Sequence, residues 1–177
     1  MNKNVKCNQG VGKTNILSRY KFGKFEKTHA PTLGIEFAQK HVIISQEKVK
    51  IQVQIWDTAG QENMNSITKA FYKNAIGALL VYDITDLQSF YDCQKWVEDI
   101  QQNCENQITI ILLGNKADSE EKRQVIKQIA LEYANKNNFA FLETSALNGQ
   151  NINESFQILV EAIRKKKNHY EKSFVLF

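Results

Sequence analysis

The run Gly77–Asp83, Gly-Ala-Leu-Leu-Val-Tyr-Asp, constrains the fold more than any other stretch. It is apolar on both faces, which a strand tolerates only when helices cover it on each side, as in a parallel sheet. A second such run spans Ile108–Gly114 and a shorter one spans Phe139–Leu142. Amphipathic segments separate them: Leu87–Gln102 with Phe90, Trp96, Val97 and Ile100, about Lys122–Lys136, and about Asn153–Lys167 with Phe156, Leu159, Val160 and Ile163. Ahead of these, Ile35–Ile44 and Val49–Ile55 read as two strands joined through Ser45–Lys48 in a hairpin. Asn65–Lys73 reads as a short helix, and a first strand is expected before Cys7. This alternation predicts a doubly wound, mostly parallel six-stranded sheet with one antiparallel edge strand and helices on both faces.

Composition narrows the class. A chain of 177 residues with 42% hydrophobic content, one proline and eight glycines suits a single compact domain. A net charge of +4 gives no reason to expect a nucleic-acid partner. Cys7, Cys93 and Cys104 form no metal spacing, so reduced thiols in a cytosolic protein are expected. No window is apolar enough for a signal peptide core or a membrane span.

The chemistry-bearing pieces fall at predicted strand ends. Gly10-Val11-Gly12-Lys13-Thr14 closes a phosphate-binding loop that opens a helix carrying Ile16, Leu17 and Tyr20. In such loops backbone N–H groups cradle phosphates, the lysine reaches the β/γ oxygens and the hydroxyl ligates Mg²⁺. Pro31 keeps its segment out of helix and presents Thr32. The stretch Ile51–Glu62 alternates as a strand, then stops at Asp57 before the turn-prone Thr58-Ala59-Gly60, with Gln61 next. Further on stand Asn115-Lys116-Ala117-Asp118 and Thr144-Ser145-Ala146. Taken singly, each piece also fits an ordinary helix start or polar turn.

As an ordered set the five pieces resemble the Ras superfamily of small GTPases, most closely its Rab branch. Rab character lies in Leu33–Phe37, Trp56–Glu62, Phe71–Ala75 and Leu80–Thr85, and the match covers about residues 10–165. The resemblance implies a G domain over residues 1–168 with a short tail at 169–177. It implies GTP or GDP bound with Mg²⁺, and a switch that regulates vesicle traffic. Thr14 and Thr32 would ligate the metal, with Asp57 holding a coordinated water. Gly60 would give its N–H to the γ-phosphate, and Gln61 would orient the attacking water. Asp118 would accept both donors of guanine, with Asn115, Lys116, Ser145, Ala146 and Phe25 around the base. Phe37, Trp56 and Phe71 look like the aromatic cluster that Rab effectors contact. No arginine lies between Arg19 and Arg123, so an activating protein is expected to supply one. An exchange factor and effectors complete the implied partners.

The chain departs from the pattern in places. Cys7 stands where the loop motif has glycine, and Asn2–Lys6 are polar for a central strand, so weakened nucleotide affinity or stability is expected. The alternative reading is a degenerate Rab-like interaction module with weak nucleotide binding or none. Gln9 could crowd the γ-phosphate, and Asn63-Met64 replace an arginine and an aromatic. No cysteine follows Cys104 to take a prenyl group, Arg164–Lys167 reads as a solvated helix end, and Phe174–Phe177 is too short to insert stably. A soluble cytoplasmic protein, at most indirectly held on the cytosolic face of endomembrane vesicles, is therefore expected.

Overall fold

The computed structural model describes residues 10–26, 35–44, 49–58, 75–104, 108–166 and 172–176. Its elements run α1 (Lys13–Phe22), β1 (Ile35–Ile44), β2 (Val49–Thr58), β3 (Gly77–Asp83) and α2 (Leu87–Asn103). They continue with β4 (Thr109–Asn115), a 3₁₀ turn (Glu120–Lys122), α3 (Lys127–Lys136), β5 (Ala140–Glu143), α4 (Ile152–Lys166) and β6 (Lys172–Leu176). The strands form one sheet in the order β1-β2-β6-β3-β4-β5, in which β1 is the antiparallel edge and every other pairing is parallel.

Both faces are covered, as the both-sided apolar runs require. Every residue of β3 and β4 is buried. Leu79, Val81, Ile111 and Leu113 join one core with β1, β2, α1 and α4. The alternate residues Ala78, Leu80, Tyr82, Ile110 and Leu112 join a second core with α2 and α3. That split is the period of two expressed as two layers. Tyr20 of α1 stacks on Phe156 of α4 with ring centroids 3.7 Å apart, tying the two helices of the first layer together. Asp86 caps α2 by accepting from the Gln88 N–H at 3.0 Å.

Three readings change. The second hairpin strand runs past its last apolar residue, Ile55, and past the expected stop at Asp57 by one residue: Trp56, Asp57 and Thr58 pair with Phe37, Glu36 and Ile35, so Asp57 is the next-to-last residue of β2. The helix expected from about Lys122 starts at Lys127, because Gln124 and Val125 first donate their N–H groups to the Ile84 carbonyl at 2.8 and 3.0 Å. Arg123 secures that detour by donating to the Val125 carbonyl at 3.0 Å and to Glu143 at 2.7 Å. Within the segment read as a short tail, residues 172–176 form β6 in the middle of the sheet. The first strand expected before Cys7 and the helix expected at Asn65–Lys73 lie outside the described residues. None of the described helices is long and apolar enough to cross a membrane.

Candidate functional site

The site gathers at the carboxyl ends of β2, β4 and β5, against the start of α1. Gly10 and Gly12 take φ of 82° and 93°, a left-handed conformation that strains any residue with a Cβ. At Gly12 space forbids one too, since a Cβ would stand 2.5 Å from the Asn115 Nδ2. The chain therefore turns tightly and releases Lys13 and Thr14 into the first turn of α1, where N–H groups lack helical partners and the dipole favours anions.

Two side chains from opposite parts of the sheet grip this loop. Thr14 Oγ1 donates to Asp57 Oδ2 at 2.7 Å, joining the loop to β2. Asp57 is fully buried. From β4, Asn115 Nδ2 donates to the Val11 carbonyl at 2.8 Å, while Asn115 Oδ1 accepts from the Ala146 N–H and the Thr144 hydroxyl, each at 3.3 Å. One buried amide thus joins the phosphate loop to the 144–146 loop.

The neighbouring loops are ordered with equal care. Ser145 Oγ donates to Asp118 Oδ1 at 2.5 Å and Ser119 Oγ donates to Oδ2 at 3.2 Å, fixing the plane of that carboxylate. Lys116 has φ of 66° and its ammonium pairs with Asp83 Oδ2 at 2.5 Å. The Ala117 N–H donates to the Thr144 carbonyl at 3.0 Å, binding the two loops backbone to backbone. Phe25 is half-buried and packs against the first core.

Sequence reading missed two side chains here. Arg19 donates to the carbonyls of Ala146 at 2.9 Å, Leu147 at 2.5 Å and Gly23 at 2.6 Å, so α1 carries the 146–147 turn. Asp83 holds Lys116 and also accepts from the Thr85 N–H at 2.8 Å and the Thr85 hydroxyl at 2.7 Å. Neither role has a local signal, because a single arginine on a helix or a single aspartate at a strand end does not show which distant groups it pairs with.

Of the effector-type aromatics, Phe37 and Trp56 face each other across β1 and β2 with centroids 4.7 Å apart, and Phe37 is 45% exposed. Thr32, Gly60, Gln61 and Phe71 lie outside the described residues.

Two left-handed glycines at a helix N-terminus, a carboxylate near the end of a strand bonded to the helix's threonine and two further loops around an acidic residue are consistent with a P-loop fold. The model of the Ras family matches residues 5–165. The chain is 41% identical over 160 residues to the GTP-binding protein ypt3 of Schizosaccharomyces pombe, covering 90% of this chain and 74% of that protein. It is also 41% identical over 170 residues to the Ras-related protein Rab-13 of Mesocricetus auratus, covering 93% and 83%. With the Ras-related protein Rab-11B of Dictyostelium discoideum it shares 43% identity over 154 residues, covering 87% and 69%. The chain belongs to the Ras family, as a Rab-type small GTPase, a GTP-hydrolysing class that regulates vesicle traffic.

Proposed function

We propose that this chain binds GTP and GDP together with Mg²⁺, hydrolyses GTP slowly, and reports its nucleotide state to effectors in vesicle traffic. The observation that carries the reading is the double grip on residues 11–14, by Asp57 from one side and Asn115 from the other. That grip fixes the backbone of residues 11–14 from both sides at the start of α1, and such fixing lowers the ordering cost of binding a phosphate there.

Thr14 and Asp57 offer a hydroxyl and a carboxylate 2.7 Å apart, a hard oxygen pair of the kind Mg²⁺ selects. When bound, the ion neutralises charge on the β- and γ-phosphate oxygens. Thr14 would ligate it directly, joined in the GTP state by Thr32, and Asp57 would hold one of its waters. Lys13 adds charge at the same oxygens, and Gly10, Val11 and Gly12 supply backbone contacts. Asp118, aligned by Ser145, accepts the paired N1–H and amino donors of guanine, and adenine leaves it unpaired, a rejection of roughly 10⁴ to 10⁵. Asn115, Lys116, Ala146 and Phe25 frame that base. Gly60 and Gln61 sense the γ-phosphate and orient water, and Phe37, Trp56 and Phe71 meet effectors.

The transition-state arginine comes from an activating protein. Arg19 is committed to three carbonyls and Arg123 to Glu120 and Glu143, while Arg164 stands in the last turn of α4. Intrinsic turnover is then on the order of 10⁻⁴ to 10⁻³ s⁻¹, rising by up to about 10⁵ with the partner. Titration with fluorescent GDP, GTP and ATP, with and without Mg²⁺, tests the reading. Guanine-selective, Mg²⁺-dependent binding at micromolar or tighter affinity with slow turnover is expected, and failure of the full chain to bind guanine nucleotide overturns it.

A further inference from the structure

Strand β6 fills the centre of the sheet. It pairs with β2 from Gln52–Lys172 to Trp56–Leu176 and with β3 at Gly77–Val175 and Ala78–Leu176, parallel on both sides. Among the described residues no other strand joins the β1–β2 hairpin to the β3–β4–β5 half. Neighbouring strands lie about 4.8 Å apart, so β2 and β3 stand about 10 Å from each other, beyond any direct backbone hydrogen bond. The direction of β6 follows from the topology. β5 runs parallel to β4, and α4 returns the chain to the end where the strands begin, so a segment following α4 enters the sheet parallel.

The position of β6 bears directly on the phosphate loop. Asp57, which grips Thr14, belongs to β2; Asn115, which grips Val11, belongs to β4. These strands lie on opposite sides of β6, so the spacing between the two grips is set by the strand between them. Leu176 is level with Trp56, the residue before Asp57, so the pairing of β6 reaches the end of β2 that carries Asp57.

We propose that residues 172–176 act as a docking strand whose seating between β2 and β3 holds the phosphate loop in its binding geometry, so that unseating this segment releases guanine nucleotide. The occupant of the slot is the chain's own segment after α4, an extended apolar stretch, Phe174-Val175-Leu176, flanked by Lys172 and Ser173. Main-chain pairing on two edges supplies the affinity, as in strand addition to an exposed sheet edge. The nucleotide-release part rests on the guanine-nucleotide reading above; the seating part does not.

Hydrogen exchange on the full chain tests the seating without any nucleotide. Amides of residues 173–176 are expected to be protected to the same order as those of Leu79–Val81, and exchange at the rate of an unstructured peptide overturns the proposal. The coupling is tested on a chain ending at Glu171, titrated with fluorescent GDP and Mg²⁺. A loss of about 100-fold in affinity is expected, corresponding to a binding-competent loop populated at about 1%, and a synthetic Lys172–Phe177 peptide added in trans should restore it where a scrambled peptide does not. Affinity equal to that of the full chain overturns the coupling. Should the shortened chain not fold, Val175→Gly in the full chain lowers strand propensity and keeps the ladder. Faster GDP release then supports the proposal and an unchanged rate overturns it. A full chain with protected 173–176 amides that binds no guanine nucleotide would refute the functional reading alone.

Discussion

Replacing Asn115 with alanine removes a buried side chain that bonds both the phosphate loop and the 144–146 loop. Asn115 is 1% exposed. Its bond to the Val11 carbonyl is 2.8 Å and its two accepted bonds are 3.3 Å, so the first should contribute most. Truncation leaves the Val11 carbonyl and the Ala146 N–H with lost partners, at about 1–3 kcal/mol for a buried orphaned group and less for the longer contacts. The sum is about 3 kcal/mol, a large share of the 5–15 kcal/mol that typically holds a domain together. In a chain of this size that lowers Tm by about 6–12 °C. Thermal unfolding followed by circular dichroism, with nucleotide stripped so that ligand linkage does not add, measures it. Asn115→Asp keeps the acceptor but turns a carboxylate toward the Val11 carbonyl, so it should be no more stable than the alanine variant. A double-mutant cycle sharpens the reasoning. A Cβ at position 12 collides with Asn115 Nδ2, so the costs of Gly12→Ala and Asn115→Ala should add to less than their sum, leaving the strain of the left-handed φ. A Tm change under about 2 °C for Asn115→Ala, or strict additivity in the cycle, would refute the claim that this amide is the clamp.

Other consequences follow from single contacts. Tyr82 is fully buried and its hydroxyl has no hydrogen-bond partner among the described residues, so Tyr82→Phe should stabilise by up to about 1 kcal/mol in denaturant unfolding. Gly114→Ala should destabilise, because a Cβ there meets the Tyr82 hydroxyl at 2.6 Å and its Cζ at 2.8 Å, and adding Tyr82→Phe should recover only part of the loss. Arg19→Ala leaves the Ala146, Leu147 and Gly23 carbonyls without their donor and should speed fluorescent GDP release several-fold, with a stability loss of about 2 kcal/mol. Burial pushes the Tyr20 and Tyr133 hydroxyls up to about 12 from the usual 10. Between those values the folded state binds more protons than the unfolded one, so stability should hold up to about pH 10 and fall from there to pH 12, and Tyr20→Phe should flatten part of that slope.

Periodicity carries fold information only where a residue's surroundings repeat along its own segment. Both-sided burial of Gly77–Asp83 and Thr109–Asn115 is a property of seven consecutive residues in each, and it is legible because two helical layers impose it at every step. The late start of α3 is not legible that way. It depends on the Ile84 carbonyl, remote in sequence, taking two N–H groups that a helix would otherwise have used. The site divides along the same line. Its residue types stand at strand ends and could be picked out in order, but their partners could not: nothing near Asn115 in sequence points to Val11, and nothing near Lys116 requires a positive φ or an ion pair with Asp83. Strand β6 is the extreme case. Lys172–Leu176 has one short apolar run, equally suited to a tail or a strand, and its place is decided by a slot whose two walls, β2 and β3, lie far upstream. A segment so placed gains its stability wholly from non-local pairing, so it should form late in folding, after the halves it joins. Its seating is therefore the step at which folding and the geometry of the phosphate loop become the same event.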